Sequence, residues 1–228
     1  MPTDPSIPAL REVRIPSGDS RLCGDLGLPP GASGLVLFAH GSGSGRHSAR
    51  NRRVAAQLQR AGIATLLFDL LTPHEEEADA RTGQHRLDVP LLTRRMEDAT
   101  TWAAAQPALA HLPLGYFGAS TGSAAALIAA ALLGERIAAL VSRGGRPDLA
   151  GPAALAAVRA PTLLIVGGAD HEVLALNRQA AAHLRCEHEL AVVPDAGHLF
   201  EEPGALQQAA ELSADWFTRH LAHAEHPA

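Results

Sequence analysis

Along this chain, short and almost unbroken apolar runs alternate with longer stretches in which apolar positions recur at helical spacing. Leu35-Val36-Leu37-Phe38-Ala39 has no polar position, and Ala64–Leu71, Leu112–Phe117, Ile137–Val141, Thr162–Val166 and Glu189–Val193 have few. Such runs predict strands, and Leu35–Ala39, Ala64–Leu71, Ile137–Val141 and Thr162–Val166 read as buried strands of a parallel sheet. Val13–Ile15 and Leu22–Leu28 predict a leading antiparallel pair. The intervening segments predict helices. Asn51–Ala61 carries Val54, Ala55, Leu58 and Ala61 on one face and ends at Gly62. Val89–Ala105 is stopped by Pro107 and Thr121–Leu133 by Gly134; Val173–Leu184 and Gly204–His220 complete the set. Thr72–Asp88 is charged and polar throughout, which predicts a surface loop. Strands alternating with helices imply an α/β fold: a mostly parallel sheet of about eight strands, the leading ones antiparallel, flanked by helices. Reactive groups in such sheets lie beyond the carboxyl ends of the strands.

The chain has 228 residues, 46% hydrophobic and 19% charged, which suits one α/β domain over 1–228 with a core from about 13 to 220 and loose termini. A net charge of -5 argues against a nucleic-acid surface. All 19 cationic side chains are Arg, which excludes a Lys Schiff base, a Lys general base and a P-loop lysine. Cys23 and Cys186 stand far apart, outside any CxxC spacing, and are expected to be free thiols in a reducing compartment. No secretory leader pattern and no apolar run of membrane-spanning length is visible, so a cytoplasmic location with no membrane partner is expected.

Chemistry concentrates where strands end. Gly118-Ala119-Ser120-Thr121-Gly122 stands between an apolar run and an Ala-rich helix, the strand–turn–helix setting of a nucleophile elbow, with Ser120 as nucleophile. The alternative is a small-residue turn that lets strand and helix pack closely. Gly167-Gly168-Ala169-Asp170 ends another strand. Asp170 would orient a histidine, or else cap the helix that follows, with Asp148 as reserve acid. His198 follows the last strand as candidate base, where the bland reading is a solvated loop histidine. The order Ser120, Asp170, His198 matches the order of an α/β-hydrolase triad. Oxyanion donors would be the backbone N–H groups of Ser42, in the glycine-rich loop after Leu35–Ala39, and of Thr121. The other histidines show no metal-ligand spacing, and no cofactor or metal is implied. Arg46, Arg143 and Arg146 lie near the expected mouth. They would clamp a substrate carboxylate or phosphate, or pair with local acids such as Asp69 and Asp148.

On His40-Gly41, Gly118–Gly122, Gly167–Asp170 and Gly197-His198, the chain resembles the α/β-hydrolase superfamily, and more narrowly its dienelactone-hydrolase-like group. The resemblance covers nearly the whole chain. It implies a serine hydrolase acting on a carboxylic ester, lactone or thioester of a small substrate through an acyl-enzyme on Ser120. Dienelactone hydrolases carry Cys at the elbow, so Ser120 shifts the expectation towards a serine esterase. The short stretch between Val141 and Pro161 leaves little room for a cap. Two rivals remain open. Gly41, Gly43 and Gly45, with Asp69 at the end of the next strand, approach a dinucleotide-binding fingerprint, but Arg46 stands where its third glycine belongs. A non-catalytic binding or regulatory protein could also use the same scaffold. Oligomeric state is not legible.

Overall fold

The computed structural model describes residues 8–222; the termini expected to be loose lie outside them. Eight strands form one sheet: β1 (Arg11–Ser17), β2 (Ser20–Gly27), β3 (Leu35–Ala39), β4 (Ala64–Phe68), β5 (Leu114–Ala119), β6 (Ile137–Arg143), β7 (Thr162–Gly167) and β8 (His188–Val193). Their spatial order is β1-β2-β4-β3-β5-β6-β7-β8. β1 and β2 pair antiparallel, β2 joins β4 antiparallel, and every later pairing is parallel. The expected sheet is therefore present, with β5 and β6 running two residues further than their apolar runs suggested. Those extra residues carry the strands up to Ser120 and through Arg143.

Among the described residues seven α-helices cover the sheet: α1 (Ala49–Arg60), α2 (Pro73–Thr82), α3 (Val89–Ala104), α4 (Gly122–Leu133), α5 (Gly151–Ala157), α6 (His171–Ala181) and α7 (Ala205–Leu221). Alternation along β3 divides the core. Leu35, Leu37 and Ala39 join the layer that holds Leu92, Met96 and Ala99 of α3 and the alanines of α4. Val36 and Phe38 face Val54 and Leu58 of α1 and Trp216 and Phe217 of α7. Each such Val, Leu or Phe adds about 1.5–3 kcal/mol when removed from water. Helix α4 is apolar nearly all round because it is buried nearly all round, and its alanines let it lie close beneath the sheet.

One expectation is corrected. Thr72–Asp88 is not simply a loop, since it contains α2. Thr72 accepts from the Glu75 N–H while Glu75 bonds back to the Thr72 N–H. Pro73 opens the helix and Gly83 closes it in the left-handed region. The segment is polar because α2 buries little, with Asp79 its one buried residue. Between β6 and β7 there is only a 3₁₀ turn (Pro147–Ala150) and α5, so no cap stands there. Among the described residues no helix is long and apolar enough to cross a membrane.

Candidate active site

Ser120 is held at φ 49°, in the left-handed region that non-glycine residues rarely adopt. Such a conformation costs on the order of 1–3 kcal/mol and persists only where the surroundings enforce it. Here its N–H donates to the Arg143 carbonyl at 3.2 Å, and its carbonyl accepts from the Ser123 N–H, the Ser123 hydroxyl and the Arg146 N–H at 3.1, 2.7 and 3.1 Å. The turn also needs Gly122. A Cβ there would meet the carbonyl oxygens of Ala39 and His40, each at 2.4 Å. With both constraints met, the hydroxyl stands clear of the sheet at the head of α4.

The other two triad candidates arrive from neighbouring strand ends. Asp170 occupies the cap position of α6, yet its side chain makes no capping bond. Its Oδ2 lies 2.7 Å from Nδ1 of His198 instead. His198 is carried by the loop after β8, which crosses the end of β7. A Cβ on Gly167 would stand 2.2 Å from the Ala196 carbonyl oxygen, so only glycine permits the crossing. Nε2 of His198 lies 3.3 Å from Ser120 Oγ. Facing an acceptor-only carboxylate, Nδ1 carries the proton, which leaves Nε2 free to accept from Ser120. Asp170 is largely buried (13% side-chain exposure) and His198 is more open (39%). The reserve acid, Asp148, lies elsewhere, paired with Arg146.

The glycine-rich loop folds against the elbow, with a Gly41 Cβ position 3.1 Å from the Ser120 Cβ. The Ser42 N–H donates to the Thr121 hydroxyl at 3.0 Å. The Thr121 N–H belongs to the start of α4, where backbone donors have no partner within the helix. His40 anchors the loop from below. Its Nε2 accepts from the Leu70 N–H at 2.9 Å and its Nδ1 meets the Gly41 carbonyl at 2.9 Å. Burial holds its pKa below the ordinary histidine value. Asp69, the acid of the dinucleotide alternative, is taken up by the Arg46 N–H at 2.8 Å.

The three mouth arginines separate. Arg146 makes a two-pronged contact with Asp148, at 2.9 and 2.7 Å, which holds its pKa up. Arg46 lies among Asp69, Asp25 and Glu12 at 3.4, 3.6 and 3.5 Å. Both thus follow the pairing alternative, Arg146 with the predicted Asp148 and Arg46 with Asp69. Arg143 pairs with no carboxylate among the described residues. It lines a cavity of about 210 Å³ together with Ser120, His198, Arg50 and Asn51. Sequence reading missed Arg50 and Asn51, because a helical pattern shows which face is apolar and not what its first turn points at. A larger cavity, about 270 Å³, lies on the far side of the Gly41–Ser44 loop beneath α2 and does not reach Ser120.

Residues 32–222 match a family described as alpha/beta hydrolase domain. A dienelactone hydrolase structure from Anabaena variabilis is 54% identical with a TM-score of 0.92, covering 93% of this chain and 98% of its own. Est1E from Butyrivibrio proteoclasticus shares the fold at 15% identity and a TM-score of 0.78, covering 92% of this chain and 99% of its own. A Mycobacterium tuberculosis protein with a provisional phosphoribosyl transferase name is 56% identical over 216 residues, 94% of this chain. The chain spans about half the length of that relative (48%).

Proposed function

The chain belongs to the alpha/beta hydrolase family, dienelactone-hydrolase-like, and we propose that it is a serine hydrolase cleaving carboxylic esters of small substrates through an acyl-enzyme on Ser120. The observation that carries this reading is the hydrogen-bonded series Ser120–His198–Asp170, at 3.3 and 2.7 Å. His198 Nε2 takes the hydroxyl proton as Ser120 attacks the carbonyl carbon. The imidazolium is stabilised by Asp170, which stays ionised. The N–H groups of Thr121 and Ser42 receive the developing oxyanion, the Thr121 hydroxyl yielding its bond to Ser42 as that charge arrives. His198 then protonates the leaving alcohol, and water repeats the sequence to free the acid. Lactones and thioesters present the same carbonyl and fall within the same chemistry. The dienelactone hydrolase name of the Anabaena relative agrees with hydrolysis. The phosphoribosyl transferase name belongs to a protein about twice as long as the region matched, and it is not carried over.

A fluorophosphonate probe, with p-nitrophenyl esters as substrates, tests the reading. Wild type is expected to label at Ser120 and turn over esters, and Ser120→Ala to lose both, with kcat down at least about 10⁴-fold. Folded wild-type protein that neither labels nor hydrolyses would replace this reading with a non-catalytic binding protein on the same scaffold.

A further inference from the structure

Arg143 is a buried cation with no counter-ion among the described residues. It is 7% exposed, at the carboxyl end of β6, with its guanidinium 5.7 Å from the Phe117 ring centroid and 5.8 Å from that of Phe200. Nη2 donates to Asn51 Oδ1 at 3.3 Å, while Nη1 has no hydrogen-bond partner among the described residues. Burial, and then the charge of Arg50, push its pKa down to about 10, so it stays charged at neutral pH. Burying a charge is costly unless a partner compensates it. This chain supplies carboxylates for Arg46 and Arg146 and leaves Arg143 without one.

The cavity that Arg143 lines is biased in the same direction. Arg50 stands on it, 37% exposed at its side chain, with only a distant contact to Glu201 at 3.9 Å. Ser48 and Asn51 bring the N-terminus of α1 to it, and that first turn carries no acid. Among the described residues no acidic side chain lines the cavity. Two guanidiniums and a helix N-terminus therefore face the space beside Ser120, and all of them favour an anion.

We propose that Arg143, assisted by Arg50 and the head of α1, forms an anion subsite for the acyl portion of the substrate, and that the substrate is a half-ester of a short dicarboxylic acid. This deepens the reading of Ser120 as an acylated nucleophile and rests on it. The leaving group departs towards His198, the more exposed side, while Arg143 lies deep, where the acyl chain stays. At about 210 Å³ the cavity is smaller than a drug-sized ligand site, roughly 300 Å³ and upward, so the chain between carbonyl and carboxylate is short. The carboxylate is a spectator. The ester C–O bond breaks, the Ser120 Oγ–carbon bond forms, and the Ser120 proton leaves on the alcohol by way of His198. Water then reverses the acylation.

The test compares p-nitrophenyl hemiglutarate with a neutral ester of matching shape, p-nitrophenyl 5-methylhexanoate. Wild type is expected to favour the anionic ester in kcat/KM by about tenfold or more, mainly through KM. Arg143→Gln is expected to bring the anionic-to-neutral ratio to about one, and Arg50→Gln to lower it by a smaller factor. Should Arg143→Gln fail to fold, the wild-type ratio and Arg50→Gln decide. A second readout needs no turnover: glutarate should raise the Tm of Ser120→Ala, and not that of the Ser120→Ala, Arg50→Gln double variant to the same extent. Equal use of both esters by an enzyme that labels at Ser120 overturns the subsite and leaves the hydrolase reading intact. Glutarate stabilisation that depends on Arg50, in a protein that neither labels nor hydrolyses, overturns the hydrolase reading and leaves the subsite standing.

Discussion

On one side of the Gly41–Ser44 loop lies a cavity of about 270 Å³ walled by Leu70, Leu71, Leu92 and α2; on the other lies the cavity of about 210 Å³ that holds Ser120, His198 and Arg143. In the larger one the Asp79 carboxylate is fully engaged. Asp79 accepts from the N–H groups of His85 and Arg86 at 2.7 and 2.9 Å and from the Arg86 guanidinium at 2.9 Å. Nearby, Glu75 pairs with Arg95 at 2.7 Å. The smaller one keeps polar capacity in reserve: a hydroxyl at a strained turn, an imidazole nitrogen able to accept, and a guanidinium nitrogen without a partner. Volume alone would point to the larger cavity, whereas the strained backbone at Ser120 points to the smaller.

If reactivity belongs to the smaller cavity alone, perturbations should separate along the loop. The largest effect is expected from Asp170→Asn, which keeps the shape and disturbs the tautomer of His198. Steady-state kinetics should register a kcat lower by about 10⁴-fold, and a loss of less than tenfold would mean that Asp170 does not set the tautomer of His198. Next comes the collapse of anion preference in Arg143→Gln, about tenfold in the kcat/KM ratio. Thr72→Ala acts across the loop, removing the cap of α2. Denaturant unfolding should lose about 1 kcal/mol, with kcat/KM on small esters unchanged; a matching loss of activity would show that the two cavities act together.

The smallest effect concerns the loop itself. Burial keeps His40 neutral and its pKa below the ordinary value, so the unfolded chain takes up that proton more readily. The contribution of neutral His40 is complete above about pH 6.5 and declines as the pH falls below it. Replacing His40 with Gln should flatten the acid side of the Tm–pH curve between about pH 6.5 and 5. An unchanged slope would assign that acid sensitivity to other groups.

The interior strands were legible because burial on both faces leaves a short apolar run bounded by turn residues. Ser120, Asp170 and His198 were legible because each follows such a run directly, so locating the strand ends located the candidates. Helix α2 was misjudged although its capping residues, Thr72 and Glu75 with Pro73 between them, are plain in the sequence. Its apolar stripe is too weak to register, and composition outweighed the cap. Arg50 and Asn51 left no signal, since their place on the Ser120 cavity depends on where α1 points.

Local order along the chain was enough to establish the sheet, most of its flanking helices and three candidate residues at its strand ends, because side-chain period and turn chemistry act between near neighbours. The fate of Arg46, Arg143 and Arg146 was a different matter. All three looked alike in sequence, and whether an acid stands opposite each one depends on segments far apart in the chain. Folding neutralised two of those charges and left the third facing Ser120, since ion pairing is settled by distance in space and by exclusion of water.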